Sequence, residues 1–252
     1  MEARDQQYDY ILHLADNSMI LGQRLSEWCG HGPVLEQDIA VTNIALDLIG
    51  EARSLYQYAA ELKGGEATED SIAFLRDALE YRNVLLVEQP NMDWAYTIAR
   101  QFFYDAYHFQ LHTALTGSKD KRLAEIAAKT VKESTYHLKW SSEWVIRLGD
   151  GTDTSHEKIN EAVNNLWEYT GEMFMPSETE KIAASEGYGA DPRKLQDAWL
   201  QRVKSVLEEA TLEIPASVFQ QKGGRKGIHT EHLGYILADM QFLQRAYPRA
   251  QW

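Results

Sequence analysis

The stretch Ile39–Ile49, IAVTNIALDLI, constrains the fold more than any other. Nine of its eleven residues are apolar or threonine, spread over every side of a helix. A helix apolar all round belongs inside a protein or a membrane. Eleven residues fall well short of the roughly 20 needed to span a bilayer, so a buried core helix is expected. Its polar exceptions, Asn43 and Asp47, are four apart and share a face. A buried carboxylate must be paired, protonated or metal-bound. What Asp47 faces is therefore the question the sequence poses.

The rest of the chain carries helical periodicity, with no period-2 alternation bounded by hairpin turns. Breakers divide it into helices over about 6–28, 35–62, 71–87, 93–115 and 121–148. Thr154 with Glu157, and Ser177 with Glu180, read as capping boxes. The first would open a helix to about Phe174. Asp191-Pro192 reads as a helix start running to about Leu212, and a last helix covers about 230–247. Short connections favour one all-α domain over 1–252, a bundle core over about 6–148 followed by C-terminal helices over about 154–247.

Composition sets the setting. The 252 residues include a single cysteine, Cys29, which excludes an intramolecular disulfide framework. The net charge of −13 argues against a general nucleic-acid or anionic-membrane binder. The opening MEARDQQYDY lacks the basic-then-apolar order of a secretory signal, and a cytoplasmic location is expected.

Pairing the four long helices as hairpins gives the polar residues a geometry. A first turn centred near residues 31 and 32 sets Asp16 level with Asp47. A second, near 118 and 119, sets Asp105 level with Glu133. Four acids, one per helix, would then meet in one layer, with Arg53, His108 or His137 as hydrogen-bond or ion-pair partners. The stripe Ile126, Thr130, Glu133, His137, Trp140, Trp144 and Leu148 has core-seam spacing. Di-iron carboxylate bundles need a Glu from each of two helices and a Glu-x-x-His from each of the others. Here Gly50 stands three residues after Asp47 and Tyr136 three after Glu133, while His137 is rotated by about 100° from the ligand position. The layer Asp16, Asp47, Gly50, Asp105, Glu133, Tyr136 and His137 therefore reads as a vestigial site with no metal expected. A carboxylate-bridged oxidase active in its own right is the alternative.

Two further places draw notice. Lys222, Arg225 and Lys226 precede a helix start near Thr230, where anions are favoured, and suggest docking of an acidic partner or, on the resemblance described next, a CoA phosphate. His229 and His232 read as packing or capping groups, and Glu80 with Asn83 as an exposed helix face.

The segments RLSEWCGHGPVLEQDIAVTNIALDLIGEARSLYQYAAEL, LVEQPNMDWAYTIARQFFYDAYH, KESTYHLKWSSEWVIRLGDGTD and GGRKGIHTEHLG resemble the structural (C) subunit family of the bacterial ring-1,2-phenylacetyl-CoA epoxidases. The resemblance runs from about residue 8 to Trp252. It implies a ferritin-like four-helix bundle and a non-catalytic subunit in aerobic phenylacetate degradation. It also implies a tight heterodimer with a catalytic A subunit that holds the di-iron centre, within a larger complex. FAD, an iron–sulfur cluster and NADPH would belong to a separate reductase, and no cofactor to this chain.

Overall fold

The computed structural model describes residues 3–216 and 219–248. Among them are ten α-helices and no strand, the all-α, ferritin-like class expected from the sequence. No helix among them is long and apolar enough to cross a membrane. The chain divides into two compact units, one of residues 1–88 with 223–252, the other of residues 89–222.

The first unit is built on an antiparallel hairpin of α1 (Ala3–Ser26) and α2 (Leu35–Lys63). Helix α1 is buried on every side from Tyr10 to Gly22. That burial takes in His13, Asp16, Asn17 and Ser18, so α1 and not α2 is the enclosed helix here. The expectation for Ile39–Ile49 is corrected accordingly. Helix α2 buries one stripe, Val41, Ile44, Ala45, Leu48, Ala52, Leu55 and Ala59, at helical spacing. It exposes Leu35, Ile39 and Leu46. Ser18 Oγ donates to Glu51 at 3.1 Å, and a Cβ on Gly22 would press on Ile49 and Leu48. This register starts α2 about two turns beyond the end of α1. The overhanging turns have no α1 to cover them, which leaves Leu35 and Ile39 in solvent.

After Gly64 the chain was expected to form one helix over 71–87. Instead it forms α3 (Glu69–Phe74), a 3-10 turn at Ala78–Glu80 and α4 (Leu85–Glu88). The cause is non-local. Asp16 accepts the Arg82 N–H at 2.8 Å, and Asn17 Oδ1 accepts the Val84 N–H at 2.8 Å. Residues of α1 thus take donors that a continuous helix would use internally. The unit is completed by α10 (Glu231–Ala246), which packs on α1, α3 and α4.

The second unit pairs α5 (Trp94–Leu115), capped by Asp93, with α6 (Lys121–Gly149), capped by Asp120. Trp94 meets Trp140 and Trp144 edge-on, with ring centres 6.0 and 5.6 Å apart. Then come α7 (Asp153–Trp167), α8 (Glu178–Glu186) and α9 (Gln196–Glu209). The Ser177–Glu180 capping box is present as expected. The other is Thr152 with Ser155, two residues earlier than Thr154 with Glu157. Helix α7 ends at Trp167, and a separate 3-10 turn occupies Gly171–Phe174. Asp191-Pro192 opens a 3-10 turn that leads into α9.

The glycines of QKGGRKG are steric requirements of the first unit. A Cβ on Gly224 would lie 2.0 Å from the Asn83 carbonyl oxygen. Gly227, at φ +76°, would place one 2.2 Å from the Leu79 carbonyl. Gly224→Ala should therefore destabilise the protein by about 2 kcal/mol or more, a fall in thermal midpoint of roughly 4–8 °C. Gly234→Ala, in open space within α10, should leave the midpoint unchanged or raise it. Equal melting of the two variants would contradict the packing described.

Candidate functional site

The seven positions of the expected acid layer have different fates. Asp16 is fully buried in the first unit and surrounded by donors. The Arg76 guanidinium clasps both carboxylate oxygens, through Nη1 at 3.0 Å and through a second short contact from Nη2. The Tyr56 hydroxyl donates at 2.7 Å, and the Arg82 N–H completes the set. Arg76 itself lies over the Tyr81 ring at 4.3 Å and bonds the Ile72 and Glu80 carbonyls. Burial opposes its charge, but Asp16 together with Tyr56 and Tyr81 outweighs that and holds Arg76 above its ordinary value. Burial first, and then Asp16, raises Tyr56 well above the usual phenol range.

Asp16 does not pair with Asp47. In the observed register Gly22 sits against the turn Ala45–Ile49, so Asp47 lies beside the end of α1, and Asp16 reaches Tyr56 instead. Asp47 is half-buried, and Gly50 has open space where a side chain would be. Arg53, an expected partner of the layer, is exposed and pairs with Glu69 at 3.5 Å.

In the second unit Asp105 is fully buried but does not pair with Glu133. It accepts from Gln101 Nε2 at 2.7 Å and from Ser141 Oγ at 2.8 Å. Ser141 lies about two turns beyond Glu133 along α6. Glu133 is turned outward to Lys129 at 3.3 Å, and Tyr136 is half-exposed. The buried seam of α6 runs through Leu123, Ala127, Thr130, Ser134, His137, Ser141 and Val145. Of the expected stripe, Thr130, His137 and Trp140 are buried, but Glu133 stands one residue off the seam. His137 is buried and, with His108, steadies the Asp105 carboxylate electrostatically. On α5, His108 and His112 stack edge-to-face with ring centres 4.4 Å apart.

Glu88, a further buried carboxylate, escaped sequence reading. Glu88 accepts from Asn83 Nδ2 at 2.8 Å, from the Thr230 N–H at 2.7 Å and from the Thr230 hydroxyl at 2.9 Å. His229 Nδ1 lies 2.9 Å from Glu88 and its Nε2 lies 3.1 Å from the Tyr81 carbonyl. Arg24 donates twice to the Glu88 carbonyl. His229 is thus a packing group with an acid partner, and Asn83 is buried, not on an exposed face. The basic loop is corrected too. Arg225 is buried and electrostatically coupled to His13, so its guanidinium is not presented to an anion. Lys222 and Lys226 are exposed. Burial, with Arg225 adding to it, pushes His13 down to about 3, so the ring is neutral at ordinary pH.

A di-iron centre requires carboxylates and histidines open to metal. The seven positions do not fit that group. Gly50 has no donor atom, Tyr136 faces outward, Glu133 turns to Lys129, and a guanidinium occupies the carboxylate of Asp16.

The sequence matches the family described as "Phenylacetic acid catabolic protein" over residues 1–252. The chain belongs to that family. It is similar to the C subunit of the 1,2-phenylacetyl-CoA epoxidase of Escherichia coli (strain K12). The two are 51% identical over 243 residues, which cover 96% of this chain and 98% of that protein. The resemblance carried by the four sequence segments is to this same family.

Two outcomes check the electrostatics. Arg76→Met leaves a buried carboxylate without its countercharge and should cost about 3–5 kcal/mol in denaturant unfolding, whereas Asp16→Leu with Arg76→Met should recover most of that loss. A single-variant loss below about 1 kcal/mol would contradict the role given to the pair. Asp105 is pushed from an ordinary 3.8 up to about 6 by burial, against the opposing pull of His137, Ser141, His108 and Gln101. The folded carboxyl therefore holds its proton more tightly than the unfolded one. Its contribution to stability is greatest below about pH 4, falls as pH rises to about 6, and is level above. Unfolding curves of Asp105→Asn should lack this segment of pH dependence; identical profiles would refute it.

Proposed function

We propose that this chain is the non-catalytic, structural subunit of a multicomponent di-iron oxygenase that epoxidises the ring of phenylacetyl-CoA in aerobic phenylacetate degradation. The observation that carries the reading is the occupation of Asp16 by Arg76, in a chain that also has Gly50 and Tyr136 in place of histidine ligands. A carboxylate so neutralised stabilises helices and has no lone pair left for a metal. The 51% identity to a protein named as an epoxidase subunit supports the same assignment.

On this reading the di-iron centre resides in a catalytic partner subunit, which binds this chain as a heterodimer within a larger complex. FAD, an iron–sulfur cluster and NADPH serve a separate reductase. The contribution of this chain is mechanical: it supplies a rigid helical surface that holds the partner in its active form. Its location would be the cytoplasm, with the other enzymes acting on the CoA thioester.

The test is turnover of phenylacetyl-CoA by the catalytic and reductase subunits with and without this chain. Omitting it should lower the rate by about tenfold or more, and stoichiometric addition should restore it. This chain with the reductase alone should form no epoxide. Full turnover in its absence would overturn the proposal.

A further inference from the structure

The first unit carries an apolar face that its own fold leaves uncovered. Leu75 and Leu79, on the segment between α3 and α4, are exposed, as are Ile228, Tyr235, Phe242 and Tyr247 on α10 and at its ends. Each is between 54% and 75% exposed. They form one face. Leu75 and Tyr247 line a common surface cavity, and the Leu79 carbonyl abuts Gly227, next to Ile228. Beside them a groove of about 530 Å³ runs between Ala78 and α10, with Gly234 and Ala238 in its floor and Phe242 in its wall. Arg245 ties α10 to the segment by bonds to Asp77 and the Arg76 carbonyl.

We infer that this face is the docking surface for the catalytic subunit, a different chain presenting an apolar patch with a basic rim. The inference rests on the structural-subunit reading above. Two observations select this occupant. The first is area. Six large side chains so exposed present on the order of 700 Å² of apolar surface, given about 150–250 Å² for each whole aromatic. That is more than the roughly 300–600 Å² patch of a typical monomer and close to the roughly 800 Å² each partner contributes to a stable interface. The second is charge. The exposed acids Asp70, Glu231 and Asp239 border the face, and Asp77 is already matched by Arg245. Among the described residues, Lys226 and Arg245 are the exposed bases there. A two-fold pairing with a second copy would set this acidic rim against itself. A partner rimmed with Lys and Arg complements it.

The experiment measures binding of the purified catalytic subunit to this chain by calorimetry and gel filtration. Phe242→Asp with Tyr235→Glu should weaken the complex on the order of a hundredfold, while the thermal midpoint of the free chain stays unchanged. Should that variant melt early, Glu231→Lys with Asp239→Lys, on exposed positions, should weaken binding and reduce its salt dependence with the fold intact. Wild-type binding that neither variant alters would overturn this surface and leave the subunit assignment standing. A self-dimer of the wild type broken by the same variants would show that a second copy covers the face, and would also overturn it. Failure of the wild type to bind the catalytic subunit at all would overturn the subunit assignment itself.

Discussion

The ion pair between Asp16 and Arg76 is the interaction on which the first unit depends. It is enclosed, so neither partner can be removed without stranding a charge in a medium that solvates it poorly. Through it α1 is tied to α2 by Tyr56 and to the segment after α3 by Arg76 and the Arg82 N–H. The carbonyl of Arg76 then receives Gln241 and Arg245 of α10. One carboxylate thereby sets the relative positions of four segments far apart in sequence. Glu88 repeats the arrangement at the other end of that segment, where His229 and Thr230 anchor the start of α10.

On the structural-subunit reading proposed above, protein donors stand where a di-iron bundle would hold its metal. In such bundles the ion organises the inward-facing acids and thereby repays the cost of burying them. Here protein donors take that part, residue by residue: a guanidinium and a phenol at Asp16, a serine and a glutamine at Asp105. Of the other two acids, Asp47 is half-buried and Glu133 turns to Lys129.

Much of this was legible in the sequence because it is local. The ends of α2, α5 and α6 follow from Gly64, from the Asp93 and Asp120 caps and from the Gly149–Gly151 stop, and the Ser177 box opens α8 as expected. What failed was non-local. Periodicity over 71–87 favours one helix, yet Asp16 and Asn17, more than sixty residues away, withdraw the N–H groups that would have built it. The enclosed helix was misassigned because α1 carries His13, Asp16, Asn17 and Ser18 inside, which breaks its apolar pattern, while α2 is more apolar than its burial demands. The seam of α6 was displaced by one residue because Ala127, Ser134 and Ser141 are small and look like surface. The acid pairs failed with the registers: symmetric turns put Asp16 opposite Asp47, but a stagger of about two turns puts it opposite Tyr56.

On the reading proposed above, the buried acids Asp16 and Asp105 are satisfied by protein groups and iron belongs to a partner. Native mass spectrometry of the assembled complex, followed by gas-phase ejection of each subunit, tests it most directly. The account predicts that this chain leaves with the mass of its polypeptide alone and that the two iron atoms stay with the catalytic subunit. Ejection of this chain carrying two iron atoms would contradict it.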